Sequence, residues 1–211
     1  MKLSFRSVIA AAILTTPLVP LAAQATTAPP SCIVSMSPTA TETLFAIGAG
    51  SQVKAVDRDS NYPVGRLPKT RIDALNPSVE AVAGVCPKKN GKAVKPDLVI
   101  ISYDANNIKA NLTSLGIRVV EQDAATSVSD ALAQIRQLGT LTGHVAAANR
   151  LASSVQRDIN AAAVSVSATA ARLKVATSSI TVYYELDPTL YSITSDTFVG
   201  ALLSSLGVTN I

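Results

Sequence analysis

Polar and aromatic side chains recur just after the predicted strands of this 211-residue chain. In a parallel sheet the carboxyl ends of the strands meet at one edge, and ligands bind in the crevice outside that edge. Tyrosine rings and the guanidinium of Arg71 suit stacking and hydrogen bonding better than bond-making. The pattern therefore predicts a binding site, to which five segments contribute: residues 37–39, 57–62, 71–76, 102–106 and 184–188.

Motifs that carry catalysis or nucleotide binding are absent from the sequence. Neither the phosphate-binding pattern G-x-x-x-x-G-K-[ST] nor the nucleophile pattern G-x-S-x-G occurs. His144 is the only histidine, so a multi-histidine metal site cannot be assembled. We predict no catalytic residue, no metal and no cofactor. The net charge is only +4, and the sequence contains no basic run longer than Lys88-Lys89. Both observations disfavour nucleic acid as a partner.

The elements that position these segments alternate between short apolar runs and helical patterns. Thr39-x-x-Glu42 is a capping-box pattern that predicts a helix ending at Ile47. Such alternation is typical of a parallel sheet with crossover helices, so an α/β fold is expected. Strands are predicted at residues 32–36, 53–56, 97–101 and 117–120, with helices starting at Asn76 and spanning 107–115.

The second half of the chain is dominated by one long helical pattern. A helix capped by Ser127 is followed by another from His144 to about Arg172, roughly 40 Å long. A strand at residues 180–184 and a helix at 196–206 follow. Because one strand and one helix cannot bury both faces, we expect a second lobe that is incomplete in this chain. The predicted organisation is an N-terminal α/β lobe (26–141), a connecting spine helix (142–174) and the start of a C-terminal α/β lobe (175–211).

Residues 1–25 have the three parts of a secretory signal peptide. Lys2 and Arg6 supply the positive end, residues 8–14 the apolar stretch, and residues 23–25 a small-x-small cleavage site. The apolar stretch is too short for a transmembrane anchor, which needs about 20 apolar residues. We therefore expect export to a periplasmic or extracellular location.

Export leaves three interpretations of the two cysteines, Cys32 and Cys86. In an oxidising compartment they could form a disulfide, which is the preferred interpretation. They could instead be two unpaired buried thiols. A lipid anchor at Cys32 is disfavoured because Pro29-Pro30-Ser31 replaces the Leu-x-small pattern that lipoprotein processing reads.

Four motifs in register resemble the cobalamin and iron-siderophore substrate-binding proteins of ABC importers, a class III family of periplasmic binding proteins. Residues 33–50, IVSMSPTATETLFAIGAG, are similar to the opening of that family. Residues 59–63, DSNYP, look like its S-D-Y-P turn. Residues 76–80, NPSVE, and 95–100, KPDLVI, are similar to its N-x-E-x-I and K-P-D-L-V-I stretches, and the match extends from Cys32 to Ile211.

The resemblance implies two Rossmann-like lobes joined by one long helix, with the ligand held in the cleft between them. In this family a glutamate of the N-terminal lobe docks into an arginine pocket on the permease, and Glu80 matches its position. Residues 87–94 are an insertion relative to the family and are expected to form a surface loop that Cys86 pins. By position, the ligand-facing candidates are Ser37, Asp59, Tyr62, Arg71, Tyr103, Tyr184 and Glu185.

We therefore expect an exported, monomeric solute-binding component of an ABC import system. It would capture a metal chelate, such as a ferric siderophore, haem or a corrinoid, and deliver it to the permease and its ATPase without catalysing a reaction. The alternative functions are an exported α/β enzyme or a ligand sensor, in either case with its functional residues in the missing C-terminal part.

Overall fold

The computed structural model describes residues 28–211, so the predicted signal peptide lies outside the described residues. No helix within this range combines the length and apolarity needed to cross a membrane. The helices are α1 (Pro38–Ala46), α2 (Val79–Ala83), α3 (Ile108–Ser114), α4 (Val128–Thr142), α5 (Val145–Leu173) and α6 (Phe198–Ser205). The strands are β1 (Ile33–Met36), β2 (Val53–Asp57), β3 (Arg71–Ile72), β4 (Cys86–Lys89), β5 (Lys92–Val94), β6 (Leu98–Ile101), β7 (Val119–Glu121), β8 (Thr181–Val182) and β9 (Thr209–Asn210).

Five strands form one sheet in the order β3-β2-β1-β6-β7, which we call the main sheet. Every neighbouring pair runs parallel, with Ile33 of β1 opposite Val53 of β2 and Leu98 of β6. The chain winds outward from β1 in one direction and from β6 in the other. The predicted α/β fold with crossover helices is therefore confirmed.

Both central strands, β1 and β6, are buried along their whole length because helices cover the two faces of the main sheet. Alternate side chains of β1 enter different cores. Ile33 packs in a cluster with Leu44 of α1 and Leu138 of α4, whereas Val34 packs in a cluster with Leu112 of α3. Burying such a side chain contributes about 1.5–3 kcal/mol. The two cores hold the carboxyl edge of the sheet in a fixed geometry.

The first helix begins two residues earlier than the capping-box pattern predicted. Pro38 occupies its first turn, where the missing backbone N–H of proline costs nothing. The hydroxyl of Ser37 accepts a hydrogen bond from the backbone N–H of Ala40 at 3.3 Å, so Ser37 and not Thr39 is the N-cap. The prediction of the Thr39 cap was wrong because proline fixes the entry to the helix.

Helix α5 occupies the range predicted for the spine and spans 29 residues, or about 43 Å. Its first turns pack against α4, with Ala148 and Ala152 fully buried. The two helices come close because Gly139 lies at their crossing, where an added Cβ would lie 2.3 Å from the Ala148 Cβ. Gly143, with φ of 79°, makes the left-handed turn between them. The start of the spine is thus fixed to the main sheet.

The two cysteines form a disulfide with a Cα–Cα distance of 6.0 Å. It joins the start of β1 to β4 and leaves neither sulfur free for a lipid anchor. The predicted surface loop at residues 87–94 belongs to an antiparallel hairpin of β4 and β5. Asn90 and Gly91 both have positive φ, which is the turn geometry that favours a two-residue hairpin over an irregular loop.

Residues 174–211, the C-terminal segment, contain a second, two-stranded parallel sheet of β8 and β9. The strand predicted at 180–184 is only two residues long, and Tyr183 and Tyr184 lie outside it, about half exposed. The expected helix is present as α6, capped by the Thr197 hydroxyl. Alternating apolar residues extend a strand only where a neighbouring strand pairs with them, and β9 pairs with just two residues.

Candidate functional site

The strand order of the main sheet reverses between β1 and β6, which creates a crevice at their carboxyl ends. The chain leaves β1 into α1 and leaves β6 towards α3, and these helices pack on opposite faces of the sheet. Ser37 follows β1 directly, and Ser102 and Tyr103 follow β6. A ligand placed here would meet the ends of both strands without displacing any helix.

A cleft of about 510 Å³ occupies this position. Phe198, from the first turn of α6, faces the edge of the main sheet across the cleft. Most of the wall is apolar or carries hydroxyl and amide groups, which is the composition of small-molecule sites. The lining residues are Ser37, Pro38, Thr39, Ser102, Tyr103, Gln122, Asp123, Ala124, Ala125, Ala131, Gln134 and Phe198.

Hydrogen bonds hold several of these side chains in place. The Gln122 amide donates to the carbonyl of Gln134 at 3.2 Å and to Gln137 Oε1 at 2.7 Å. The Gln134 amide donates to the carbonyl of Asp123 at 2.7 Å, which ties α4 to the loop after β7. The Tyr103 hydroxyl donates to the carbonyl of Ala74 at 3.1 Å. The polar part of the wall is therefore preorganised.

A network of buried polar side chains supports the edge of the sheet beside the cleft. The Asp57 carboxylate accepts hydrogen bonds from the backbone N–H groups of Asp59 and Ser60, at 2.9 and 2.8 Å, and from the Ser60 hydroxyl. Ser60 Oγ lies 3.0 Å from Thr41 Oγ1, and Thr41 lies 2.9 Å from the hydroxyl of Ser35. This chain fixes the loop after β2 to the start of α1 and leaves Asp57 no access to a ligand.

Arg71 braces the same loop. Its Nη1 donates to the carbonyl oxygens of Ser60 at 2.6 Å and of Asp57 at 3.3 Å. Nearby, Arg58 forms an ion pair with Asp73 at 2.8 Å. Arg71 lines a separate depression beyond β2, not the cleft. Its observed contacts are those of a residue that shapes a loop.

Two of the seven predicted ligand residues, Ser37 and Tyr103, line the cleft. The other five do not: Asp59, Tyr62, Arg71, Tyr184 and Glu185. Tyr62 is 58% exposed, and Glu185 pairs with Ser192 in an isolated antiparallel bridge. The role of all seven as ligand contacts stays a prediction.

The sequence-based predictions omitted two parts of the cleft. These are the loop after β7 and Phe198, whose ring we call the aromatic wall. Residues 122–125 follow a strand of the main sheet, so the rule that selected the loops after β1 and β6 applies to them as well. Phe198 carried no such signal, because it lies at the start of a helix and reaches the cleft only through the tertiary fold.

Glu80, the predicted docking residue, lies exposed in the first turn of α2. Hydrogen bonds from the backbone N–H of Glu80 itself and from the Ser78 hydroxyl, 2.9 Å away, hold the pKa of Glu80 below its ordinary value. The side chain is therefore ionised at neutral pH. An exposed, ionised carboxylate is what contact with an arginine pocket requires.

Within residues 28–211 no group of three or more histidine, cysteine, aspartate or glutamate side chains is arranged to hold a metal ion.

Comparisons with known proteins find substrate-binding proteins among the relatives of this chain. It is 29% identical over 189 residues to an uncharacterized ABC transporter substrate-binding lipoprotein, YvrC, of Bacillus subtilis, covering 86% of this chain and 55% of the relative. It is 30% identical over 187 residues to a cobalamin-binding protein of Halobacterium salinarum, covering 86% of this chain and 46% of the relative. The chain thus spans about half the length of these curated relatives.

A solved structure has the same fold. The crystal structure of a possible iron-binding, periplasmic solute-binding protein of Staphylococcus epidermidis aligns with a TM-score of 0.68 at 24% identity, covering 86% of this chain and 67% of that one. At this identity the likeness establishes the fold alone. The family model described as "Periplasmic binding protein" matches residues 33–211. The chain belongs to the periplasmic binding protein family.

Proposed function

We propose that this protein is the solute-binding component of an ABC import system, and that it holds a metal chelate in the cleft and delivers it to a membrane permease. The observation that carries the proposal is the crevice at the reversal of strand order, faced by Phe198 of α6. Family membership supports it, as does the cobalamin-binding relative. A ferric siderophore, haem and a corrinoid all belong to this ligand class.

In this proposal residues 26–141 form one lobe, residues 142–174 the connecting spine, and residues 175–211 part of a second lobe. Ligand binding brings the lobes together, and the closed form docks on the permease. Because α5 is a continuous helix of 29 residues fixed to α4 at its start, closure is limited to a small rocking movement.

We propose five ligand contacts in the open cleft: Ser37, Tyr103, Gln122, Gln134 and Phe198. Tyr103 and Phe198 offer rings for stacking on a flat or bulky ligand, and the amides and hydroxyls fix its orientation. The remaining predicted contacts would have to be brought to the ligand by closure: Asp59, Tyr62, Arg71, Tyr184 and Glu185.

The proposed location is the periplasm or the cell exterior, reached through the predicted signal peptide. The disulfide between Cys32 and Cys86 is consistent with an oxidising compartment. Because Cys32 is used in this bond, a lipid thioether at that position has no free sulfur to form on. We propose a protein that binds its ligand without altering it chemically.

Native mass spectrometry of the full chain tests the binding function. The protein is mixed with cyanocobalamin, haemin, a ferric hydroxamate and a ferric catecholate in separate samples. We expect a mass increase equal to one intact chelate in at least one sample, with no covalent change after denaturation. A chemically altered product would point to an enzyme, and no binding at all would contradict the proposal.

Permease docking is tested with Glu80→Ala. We expect this variant to bind the chelate with unchanged affinity and to support slower uptake into proteoliposomes that contain the permease and ATPase. Glu42→Ala removes another exposed carboxylate from the same lobe and is the matched control. Equal uptake with wild type and Glu80→Ala would remove the docking role from Glu80.

A further inference from the structure

The charged side chains in the described wall of the cleft are all of one sign. The wall contains one acidic side chain, Asp123, and no lysine, arginine or histidine. We propose that the cleft selects a chelate that is neutral or positively charged and rich in N–H donors over one that presents carboxylates. This inference rests on the function proposed above and narrows its ligand class.

Three of the four amide N–H groups of the wall are already used inside the protein. Gln122 Nε2 donates twice, to the Gln134 carbonyl and to Gln137, and Gln134 Nε2 donates to the Asp123 carbonyl. The Oε1 atoms of Gln122 and Gln134 and the Asp123 carboxylate accept no hydrogen bond from any residue between 28 and 211. Apart from the hydroxyls of the wall, which can donate or accept, the side-chain groups left for a ligand are therefore mainly acceptors, which call for donors on the ligand.

The start of α1, which would otherwise favour an anion, offers few free donors. Pro38 has no backbone N–H. The N–H of Ala40 donates to the Ser37 hydroxyl, and that of Thr41 donates to the Ser37 carbonyl. Only the N–H of Thr39 remains in the first turn, and a carboxylate needs more than one such donor to replace its hydration.

Cationic side chains near the same edge are also occupied. None of them lines the cleft, so a ligand carboxylate bound there would leave water without a cationic partner in the described wall, which is strongly unfavourable. Lys69 lines the depression beyond β2 and not the cleft. The local partners are Asp73 for Arg58 at 2.8 Å, Glu121 for Lys109 at 2.9 Å, the Ser60 carbonyl for Arg71 at 2.6 Å, and the Phe45 ring for Arg66 at 5.9 Å.

Equilibrium dialysis of the full chain against four chelates tests the selection. Cyanocobalamin is neutral and rich in amides, ferrioxamine B is a cationic ferric hydroxamate, and haemin and ferric citrate present carboxylates. We expect the tightest binding with cyanocobalamin or ferrioxamine B, at least about tenfold tighter than with either carboxylate-bearing chelate. Tightest binding of haemin or ferric citrate would overturn the inference and leave the proposed function standing. If none of the four binds, the proposed function fails and the inference fails with it.

Asp123→Asn tests the carboxylate separately. It should weaken binding of a cationic chelate by about fivefold to tenfold, as expected for one charge pair near the surface, and leave a neutral chelate within twofold. Asp158→Asn, which removes an exposed carboxylate from α5 outside the cleft, is the control and should change neither. Equal affinity of Asp123→Asn and wild type for a bound cationic chelate would show that Asp123 does not select charge, and stronger binding of haemin by this variant would support the inference.

Discussion

The main sheet and the C-terminal segment are built from similar elements but differ in burial. In the main sheet, β1 and β6 are fully buried between two clusters of apolar side chains. In the C-terminal segment the strands are two residues long, and Leu190 and Tyr191 are 76% and 68% exposed. Because burial of apolar surface is the dominant stabilising contribution, the main sheet should carry most of the free energy of unfolding. The cleft therefore lies between a rigid wall, formed by the main sheet, and a less firmly held wall, formed by α6 of the C-terminal segment.

The disulfide is expected to make one of the two largest single contributions to the stability of the main sheet. It closes a loop with a sequence separation of 54 residues within the region of the main sheet, and its loss should lower the free energy of unfolding by up to about 4 kcal/mol. Urea unfolding of the double variant Cys32→Ser/Cys86→Ser measures this. Reductant should shift wild type to the same midpoint and leave the variant unchanged; a wild-type midpoint insensitive to reductant would contradict the expectation.

A matched pair of leucine substitutions tests burial directly. Leu44→Ala should lower the free energy of unfolding by about 2–5 kcal/mol, because Leu44 is fully buried between α1 and the main sheet. Leu190→Ala removes the same atoms from an exposed position in the C-terminal segment and should change stability by less than about 0.5 kcal/mol. Equal losses in urea unfolding would show that the two regions do not differ as described.

Gly139→Ala tests the contact that fixes the spine to the main sheet. The added Cβ would lie 2.3 Å from the Ala148 Cβ, so α4 and α5 must separate, at an expected loss of about 1–3 kcal/mol. Ala133→Ser adds one atom on an exposed part of α4 and is the control. Thermal unfolding reports both, and a stability gain in Gly139→Ala would mean that the helices have room to adjust.

Substitutions at two helix caps compare the main sheet and the C-terminal segment through smaller changes in stability. Ser127 and Thr197 each accept a hydrogen bond from a backbone N–H in the first turn of their helix, α4 and α6. Ser127→Ala should lower the free energy of global unfolding by about 1 kcal/mol. Thr197→Ala should mainly accelerate hydrogen exchange within α6, because that part can open locally. Identical effects of the two substitutions on global unfolding would argue for one cooperative unit.

The smallest expected effect is the pH-dependent contribution of Asp97 to the free energy of unfolding. Partial burial raises the pKa of Asp97, but hydrogen bonds from the backbone N–H groups of Ser31 and Cys32 and from the Ser31 hydroxyl outweigh it and lower the pKa overall. The stability that these bonds add is therefore present above the unfolded pKa of about 3.8 and is lost as the pH falls through the lower folded pKa. Asp97→Asn should be less stable than wild type at pH 7 by less than about 1 kcal/mol, because the group is largely exposed, and the difference should shrink in acid. A difference that does not change between pH 7 and pH 2 would contradict this origin.

Much of the main sheet could be predicted from the sequence because its strands are continuous apolar runs. Residues 97–101 and 32–36 were placed correctly to within a residue or two, since burial on both faces leaves such a run no other stable place. The N-cap of α4 at Ser127 was also predicted. The extent of β8 could not be predicted, because it depends on how many residues β9 offers for pairing.

The candidate site was less predictable than the fold. The rule for strand ends finds loops, but it does not say which side chains in a loop turn towards the cleft and which brace the backbone. Arg71 was selected for its chemistry, yet its guanidinium contacts two carbonyl oxygens of the neighbouring loop. Phe198 is separated by about 160 residues from Ser37, and only the tertiary fold brings them to one cleft.

The central claim, that the ligand lies between the strand reversal and α6, is tested most directly by chelate affinity in a Phe198→Ala variant of the full chain. Isothermal titration with the chelate that binds wild type best should show at least a tenfold loss, because the aromatic wall is removed. Tyr191→Ala removes an exposed aromatic ring that does not line the cleft and should bind like wild type. Wild-type affinity in Phe198→Ala would contradict the account.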